Sequence, residues 1–575
     1  MWLRLSKLTN CQVALIFFAI GLIVFSIGLT SPFQGDDTFQ IVNSAPVHSL
    51  NNIPMLLTSS TFFNGQDLVG SYYRPTMTIT YAIIYTFFGP NTFFFHLVQL
   101  SLHIAGAFTL YLVLKKFFRQ TLALILAGIF LIHPLNSQVV YAIPSMQDTL
   151  FFLFGMSALW VLINRKGNKN MWLVVSLLFL ALISKETAIV FVLLSGLYLW
   201  LFERYRLSDY LKKVSAAIIA YSLLRVNAVG FMGIESTIAP IADATLIERL
   251  MTLPSILFFY ISKFIFPWDM ATRYFWVNED FSIENVLIPL VSVVIVVGIF
   301  IHLGFIVKKK LPKKEFKAYL FFAVWAISAI MPYLQLFPLD MTACINWFYL
   351  SMAGVLGMIG ISTLLIKKNK YIQPFTVVGI VLYIALAAST ITQGTYFENA
   401  KTLAGHDNAS SVNNYAALND LSQIMLRDNN FKQAEVYAKQ SVNIHPTLFN
   451  YQNLGVALQQ QQDYSGAQMA YENALKHGSQ LSVYENLAMI ALLRADDTYT
   501  QKVLSRGLKE YPTSSKLWLF LAILEGAHGS EQKAKVAADK SAQYGPIPSQ
   551  ISIAIFTEQS YTLVLPKSST TYLIK

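Results

Sequence analysis

The sequence predicts an all-α protein in which a bundle of membrane-spanning helices is followed by a solenoid of paired helices. Of the 575 residues, 55% are hydrophobic and the mean hydropathy is +0.50, which is too apolar for a water-soluble globule. Apolar runs are nearly continuous up to about Gln393, and the part that follows is polar. In that polar part, small residues recur about every 33 residues, which is typical of repeats built from helix pairs.

The apolar part contains about eleven segments that approach the roughly 20 residues needed to cross a hydrocarbon core. We therefore expect a polytopic bundle of about this many spans, although two of the segments are short. The candidate spans are residues 11–30, 93–114, 120–133, 149–164, 171–184, 187–202, 214–231, 285–307, 318–336, 347–366 and 374–393.

Clusters of Lys and Arg lie at alternate ends of these spans, beginning with Arg4 and Lys7, and the loops between the clusters are acidic. The positive-inside rule then predicts a cytoplasmic N-terminus and an extracytoplasmic C-terminal part. A twelfth span at 251–266 would break the alternation, so we expect an interfacial helix there. The lack of long loops and sorting signals favours a bacterial inner membrane over the endoplasmic reticulum.

The polar part matches the spacing of tetratricopeptide repeats. Small residues are needed where the two helices of a pair cross, and proline ends the second helix. Ala434 and Ala534 occupy the same position in their repeats as Ala467 does in the clearest copy. About four repeats would stack into a right-handed solenoid. The clearest copy has Gly455, Ala467, Tyr471 and Ala474 at the diagnostic spacings.

These patterns divide the chain into three parts: a transmembrane domain over 1–395, a repeat domain over 396–546 and a tail over 547–575. Because acidic and basic residues balance after about residue 393, the formal net charge of +11 belongs to the transmembrane part. Such a balance indicates a cytoplasmic membrane surface rather than a nucleic-acid partner. The tail alternates β-branched residues, and no role is predicted for it.

The loop after the first span contains the strongest candidates for chemistry. Asp36 and Asp37 are adjacent carboxylates near the hydrocarbon boundary, where acids are costly and more often functional. Arg74 is the lone cation before the next span. Two structural alternatives stay open, since the carboxylates could cap the helix that follows and Arg74 could be a helix-entry residue.

Other polar side chains gather at the same ends of the spans, which suggests a site where a lipid headgroup meets a water-soluble partner. Alternatives exist for these residues too, as interhelical hydrogen-bond partners, helix caps or neutralised pairs. The sequence has no Walker-type phosphate loop and no zinc-ligand spacing. The residues are His96, His103, His133, Asp148, Lys185, Glu186, Lys263, Asp269 and Arg273.

Several short motifs occur in a characteristic order. They are Gly35-Asp36-Asp37, Tyr73-Arg74-Pro75, His96-x-x-Gln99-x-x-x-His103, His133-Pro134, Asp148, Ser184-Lys185-Glu186 and Trp347-Phe348-Tyr349-Leu350-Ser351. This order resembles the transmembrane and tetratricopeptide-repeat O-mannosyltransferase family, in the GT-C class of glycosyltransferases. The chain departs from the family at Met146-Gln147, where the family often has Arg-Ala, and at Ile345-Asn346, where it tends to have Glu-Arg.

The resemblance implies inverting transfer of a sugar from a polyprenyl-phosphate donor to Ser or Thr hydroxyls of exported proteins. Asp36 would be the general base and Asp37 its partner. The repeats would recruit the protein acceptor. A metal is not required for a phosphate leaving group, but the two carboxylates could hold Mg²⁺ or Mn²⁺. The donor's phosphate would be bound among Arg74, His133, Asp148, Lys185, Glu186 and Arg273.

Other functions remain alternatives at this stage. A GT-C transferase or ligase could act on a polysaccharide or lipid acceptor. A transporter or flippase is disfavoured because the acids gather at one membrane face rather than near the midplane, and because the chain lacks repeated halves. A non-catalytic scaffold would not need so many spans.

Overall fold

The structure is a computed structural model that describes residues 7–62, 72–230, 239–366 and 372–545, with two strands near the C-terminus. It divides into two compact units, Met1–Asn414 and Tyr415–Lys575. Regular structure in both units is almost entirely helical, which confirms the predicted all-α class. Two parts of the sequence analysis lie outside the described residues, namely Arg4 and most of the tail.

The first unit contains seventeen helices and two very short strands among its described residues. The helices are α1 (Asn10–Phe25), α2 (Ile53–Leu56), α3 (Pro75–Phe88), α4 (Thr92–Leu114), α5 (Gln120–Ile132), α6 (Ser137–Tyr141), α7 (Met146–Asn164), α8 (Asn168–Leu182), α9 (Ile189–Phe202), α10 (Leu207–Val229), α11 (Pro240–Asp243), α12 (Leu246–Ile265), α13 (Ile288–Lys310), α14 (Lys313–Ile330), α15 (Tyr349–Thr363), α16 (Ile372–Tyr396) and α17 (Ala400–Ser410). The antiparallel strands are β1 (Arg273–Tyr274) and β2 (Ala343–Cys344).

The chain is a multi-pass membrane protein. Within the described residues, seven helices are long and apolar enough to cross a bilayer, or eight if the bent pair α5–α6 is one span. The seven are Asn10–Thr30, Thr92–Leu114, Ile143–Asn164, Ile283–Lys310, Lys313–Tyr333, Ile345–Thr363 and Val378–Tyr396.

The other three predicted spans are also helical, but they are not long, apolar helices. Helix α8 has 15 residues and α9 has 14, because polar turns interrupt the apolar run between them. Helix α10 is longer, with 23 residues, but it is less apolar. Its charged side chains include Asp209, Lys212, Lys213 and Arg225. The expected eleven spans are therefore eleven helical segments, of which seven or eight are full-length spans.

Close approach of α14 and α15 depends on small residues. A Cβ atom added at Gly354 would lie 2.5 Å from the backbone N of Ala326, and one at Gly357 would lie 2.1 Å from the Phe322 ring. Small residues at such crossings let two membrane helices pack backbone against backbone. This packing fixes the start of α15, which follows the strand β2.

The α5–α6 pair is bent by 52° where His133 and Pro134 interrupt the helix. Proline lacks an N–H group and so cannot continue the hydrogen-bond ladder. The helix α12 begins at a capping box made by Thr245 and Glu248, and exposes apolar side chains such as Ile247. That pattern suits the predicted interfacial helix, whose depth in the membrane stays a prediction.

The second unit consists of four consecutive helix pairs, as the repeat pattern predicts. The small residues Ala434, Ala467, Thr500 and Ala534 are fully buried in it. Helix α17 packs in the first unit, so the helix pairs begin at Tyr415. The helices are α18 (Tyr415–Arg427), α19 (Phe431–Ile444), α20 (Leu448–Gln460), α21 (Tyr464–Ala474), α22 (Leu481–Leu493), α23 (Asp497–Glu510), α24 (Ser515–Ala527) and α25 (Glu531–Tyr544), and the tail forms an antiparallel hairpin of β3 (Tyr561–Val564) and β4 (Thr571–Ile574).

Candidate active site

Two pairs of opposite charges form the centre of the site. The guanidinium of Arg74, just before α3, binds Glu186 through both Nη2 (2.9 Å) and Nε (3.4 Å). The ammonium of Lys185 binds Oδ1 of Asp148 at 2.6 Å. Because Lys185 and Glu186 are consecutive, the turn between α8 and α9 joins the two pairs. Four of the predicted site residues are therefore brought together.

The Lys185–Asp148 pair is closed to solvent. The side chains are only 5% and 2% exposed, and the amide of Asn346 donates to the second carboxylate oxygen of Asp148 (3.3 Å). Burial alone would lower the pKa of Lys185, but the neighbouring Asp148 and Tyr333 raise it above its ordinary value. Lys185 therefore stays charged, with its counter-ion held beside it.

The Arg74–Glu186 pair is more open. The side chain of Glu186 is 41% exposed, whereas that of Arg74 is 11% exposed. The ring of Tyr72 covers the guanidinium, with its centroid 4.1 Å from Cζ. The Tyr72 hydroxyl in turn donates to Asp340 (3.2 Å). One flat face of the cation is thus covered, and its forked N–H groups are directed at Glu186.

The carboxylates of the first loop differ from each other. Asp36 is exposed and Asp37 is buried. Oδ2 of Asp37 accepts a hydrogen bond from the backbone N–H of Gln34 (3.0 Å), whereas Oδ1 has no hydrogen-bond partner among the described residues. Burial raises the pKa of Asp37 to about 8; the Gln34 hydrogen bond opposes this shift and the charge of Asp36 adds to it.

For Asp37, capping of the turn that follows does not fit the local geometry. Asp37 precedes a π-helical turn, Thr38–Val42, yet its side chain makes no hydrogen bond to the N–H groups of that turn. It is bound instead to Gln34, whose amide also donates to the carbonyl of Phe397 (3.1 Å) just after α16. The buried Tyr81 on α3 lies within electrostatic reach of both Asp37 and Arg74, and its hydroxyl donates to the carbonyl of Ile143 (2.9 Å).

His133 is engaged elsewhere. Its Nε2 is 3.1 Å from the carbonyl of Phe264, and its Nδ1 accepts a hydrogen bond from the N–H of Leu135 (3.2 Å). The ring also stacks on that of Phe264. With both nitrogens occupied, His133 joins the bend between α5 and α6 to α12, and its phosphate contact stays a prediction.

Two other histidines of the sequence analysis also make structural contacts. His103 bonds to the hydroxyl of Tyr349 and to the carbonyl of Leu131, each at 2.9 Å. His96 Nε2 lies 3.2 Å from the carbonyl of Ser31 and ties the first loop to α4. His103 matches the alternative of interhelical hydrogen bonding, whereas His96 joins a helix to a loop.

Arg273 lies in a second group of residues, centred on Asp407. It belongs to β1, and its carbonyl accepts a hydrogen bond from Asn414 (3.1 Å). Thr272, the residue before Arg273, donates hydrogen bonds to the carboxylate of Asp407 from its N–H (2.9 Å) and its hydroxyl. Burial raises the pKa of Asp407, and the charge of Arg273 acts against that shift. The partner of Arg273 in β2 is Cys344, two residues before Asn346.

Several residues of the site were missed by sequence reasoning, among them Tyr72, Tyr333 and Asp340. Tyr333 stacks on Trp347 at 4.8 Å, and its ring centroid lies 6.0 Å from the Lys185 ammonium. The aromatic-rich run around Trp347 was the signal in the sequence for these aromatic rings beside Lys185. Within the described part of the chain, no group of three or more His, Cys, Asp or Glu side chains could hold a metal ion.

Comparisons with known proteins support the resemblance. No family model matches the chain. It is 25% identical over 232 residues to the protein O-mannosyl-transferase F38B6.6 of Caenorhabditis elegans, which is 39% of this chain and 33% of that protein. It is 27% identical over 202 residues to the protein O-mannosyl-transferase Tmtc1 of Drosophila melanogaster, which is 34% of this chain and 22% of that protein. The predicted similarity to these transferases is thereby confirmed, and the match spans at most about a third of either relative.

Among solved structures, the chain overlays on ArnT from Cupriavidus metallidurans bound to undecaprenyl phosphate. The TM-score is 0.37 with 14% identity, over 80% of this chain and 79% of ArnT. A second overlay is with the APC/C hetero-tetramer Cut9–Hcn1, with a TM-score of 0.24 and 13% identity, over 84% and 89% of the two chains.

Proposed function

We propose that the chain is an inverting membrane glycosyltransferase that moves a sugar from a polyprenyl phosphate to Ser or Thr hydroxyls of exported proteins. The observation that carries the proposal is the pair of cations, Arg74 and Lys185, which two ion pairs bring together. Tyr81 lies within electrostatic reach of Arg74 and of the two adjacent carboxylates in the first loop. The names of the two relatives, both protein O-mannosyl-transferases, support the same class of reaction. The site faces the extracytoplasmic side, as the charge alternation indicates.

The cations stabilise the leaving group. As the bond between the anomeric carbon and the phosphate oxygen breaks, its electron pair stays on the lipid phosphate. Fixed positive charge in a site of low dielectric stabilises that developing charge without reorganisation. Arg74 supplies a planar fork suited to two phosphate oxygens, and Lys185 adds a second charge behind it. Arg273 of β1 is a third candidate cation for the phosphate, although it lies in the group around Asp407.

The carboxylates act on the acceptor. An acceptor hydroxyl oxygen forms the new bond to the anomeric carbon, and its proton passes to Asp36, which is exposed and accessible to a bulky acceptor. Asp37 is the buried partner, and its ionisation sets how strongly Asp36 attracts the proton. A protonated Asp37 can donate a hydrogen bond to Asp36, which weakens Asp36 as a base, whereas an ionised Asp37 strengthens it.

The helix pairs of the second unit engage the protein acceptor. Their first helices are joined side by side by polar side chains: Asn453 donates to Asn419 (2.8 Å) and Gln452 donates to Ser482 (3.0 Å). Glu485 continues this row by accepting a hydrogen bond from Ser514 (3.1 Å). A row of amides and hydroxyls can pair with the backbone of an extended polypeptide, which is how grooves of this kind recognise segments of variable sequence.

The test is transfer of labelled sugar from defined polyprenyl phosphates to a panel of exported proteins by the purified full-length protein. We expect Asp36→Asn to abolish transfer and Arg74→Ala to raise the KM for the donor. Asp280→Asn, at an exposed acid of another loop, is the matched control and should retain wild-type rates. Full activity of Asp36→Asn, or transfer by wild type only to lipid or polysaccharide acceptors, would contradict the proposal.

A further inference from the structure

One of the two bidentate edges of the Arg74 guanidinium is already in use. The Tyr72 ring covers one flat face of the guanidinium at 4.1 Å. The forked edge formed by Nη2 and Nε is used by the two carboxylate oxygens of Glu186, at 2.9 and 3.4 Å. This edge, like the edge formed by Nη1 and Nη2, matches two oxygens of a carboxylate or a phosphate.

The two acids of the cluster differ in how easily they can leave their cations. Asp148 is 2% exposed and is also bound by Asn346, so its separation from Lys185 would leave two buried charges unpaired. Glu186 is 41% exposed, and its carboxylate can turn into water without being stranded in an apolar environment.

We infer that Glu186 and the phosphate of the donor compete for the same edge of Arg74, and that Glu186 is displaced when the donor binds. This inference rests on the proposed function. A phosphodiester oxygen pair brings the single negative charge that Glu186 gives up, so the charge around Arg74 is conserved in the exchange. Glu186 then limits how tightly the site holds any polyprenyl phosphate, including the one released as product.

The competition predicts the direction of a mutational effect. Glu186→Gln removes the negative charge but keeps the size of the side chain and its ability to accept a hydrogen bond. Undecaprenyl phosphate should then bind about threefold to tenfold more tightly, because its competitor is weaker. Tighter binding should also change turnover. The KM for the donor should fall, and kcat should fall too because the lipid phosphate leaves more slowly.

The experiment measures the Kd of undecaprenyl phosphate for the full-length protein in lipid nanodiscs. Glu203→Gln is the control, because it breaks the analogous pair with Arg206 (2.6 Å) in the turn between α9 and α10. It should leave the Kd unchanged. Glu186→Asp, which keeps the charge but shortens the reach by one methylene, should give an intermediate Kd and remains informative if Glu186→Gln does not fold.

The opposite role for Glu186 would be to hold Arg74 in position for the phosphate. In that case Glu186→Gln weakens binding or leaves it unchanged, and the competition is overturned. If wild type neither binds undecaprenyl phosphate nor transfers from any polyprenyl-phosphate donor, the proposed function itself fails. Binding by wild type that depends on Arg74, with no gain in either Glu186 variant, overturns the competition alone.

Discussion

Two neighbouring carboxylates in the first loop have different surroundings, and this difference gives them different chemistry. The sequence shows both acids near the membrane boundary, which is enough to predict a site. It does not show that Asp37 is buried and Asp36 exposed, because that depends on the loop folding back against Phe397 and α3 through Gln34. A buried acid next to an exposed one is a common arrangement for acid and base chemistry.

The first prediction concerns pH and activity. Because the pKa of Asp37 is about 8, its carboxyl is mostly protonated at neutral pH and ionises as the pH rises through that value. Transfer by wild type should therefore increase between pH 7 and 9. Asp37→Asn should lose this step while it retains some activity, whereas Asp36→Asn should be inactive at every pH. An unchanged step in Asp37→Asn would remove Asp37 from the site.

The same group predicts how stability depends on pH. In the unfolded chain Asp37 has an ordinary pKa of 3.8, and in the folded protein the value is about 8. Between these values the folded state binds the proton more strongly, so this group makes the free energy of unfolding fall as the pH rises. Asp37→Asn removes that contribution. Thermal unfolding at pH 5 and pH 8.5 should show a smaller loss in the variant, and an equal loss would contradict the burial of Asp37.

The ion pairs could be predicted only in part. Arg74, Asp148, Lys185 and Glu186 were all selected from the sequence, but their pairing was not. Arg74 and Glu186 are 112 positions apart in the chain, and the packing of the turn between α8 and α9 on the start of α3 brings them together. The contact of Asn346 with Asp148 depends on the same kind of long-range packing.

At the scale of elements, the bend between α5 and α6 explains the structural contacts of His133. The dipeptide His133–Pro134 was a correct signal for a special position, because proline interrupts a helix. The sequence could not show that α12 supplies the carbonyl of Phe264 to the histidine ring. The sequence therefore marks His133 as a special position, but it does not show that this histidine joins α12 to the bend.

A substitution at this bend distinguishes a structural role of His133 from a role in binding the donor's phosphate. His133→Ala should reduce stability by about 1–3 kcal/mol, because it leaves a buried carbonyl and a buried N–H without their partners. The KM for the donor should stay at its wild-type value in preparations of equal folded content. A KM that rises strongly while the unfolding temperature is unchanged would restore the phosphate role.

Helix packing gives a second prediction at this scale. Gly354→Ala should destabilise the first unit by about 1–3 kcal/mol or more, because the added methyl would meet the backbone of α14 rather than a side chain that can move. Gly298→Ala is the matched control, since nothing lies within 4 Å of a Cβ at that position of α13. Unfolding temperatures of the two variants in the same detergent test the difference, and equal values would contradict the close crossing.

At the scale of the whole molecule, the order of parts was predictable and the number of spans was not. Hydropathy locates helices well because a segment in lipid must satisfy its own backbone hydrogen bonds. It does not measure whether a helix of 14 or 15 residues, such as α9 or α8, crosses the bilayer by itself. The repeat array was predictable because small buried residues recur at a fixed spacing, as at Ala434 and Ala467.

The central claim is inverting transfer of a sugar from a polyprenyl phosphate. The most direct test is the anomeric configuration of the product formed by the purified full-length protein from a donor of known configuration, read by NMR of the glycosylated acceptor. We predict a Ser- or Thr-linked sugar with the configuration opposite to that of the donor, and none with Asp36→Asn. A product that retains the donor's configuration, or movement of the lipid-linked sugar across the membrane without transfer, would contradict the account.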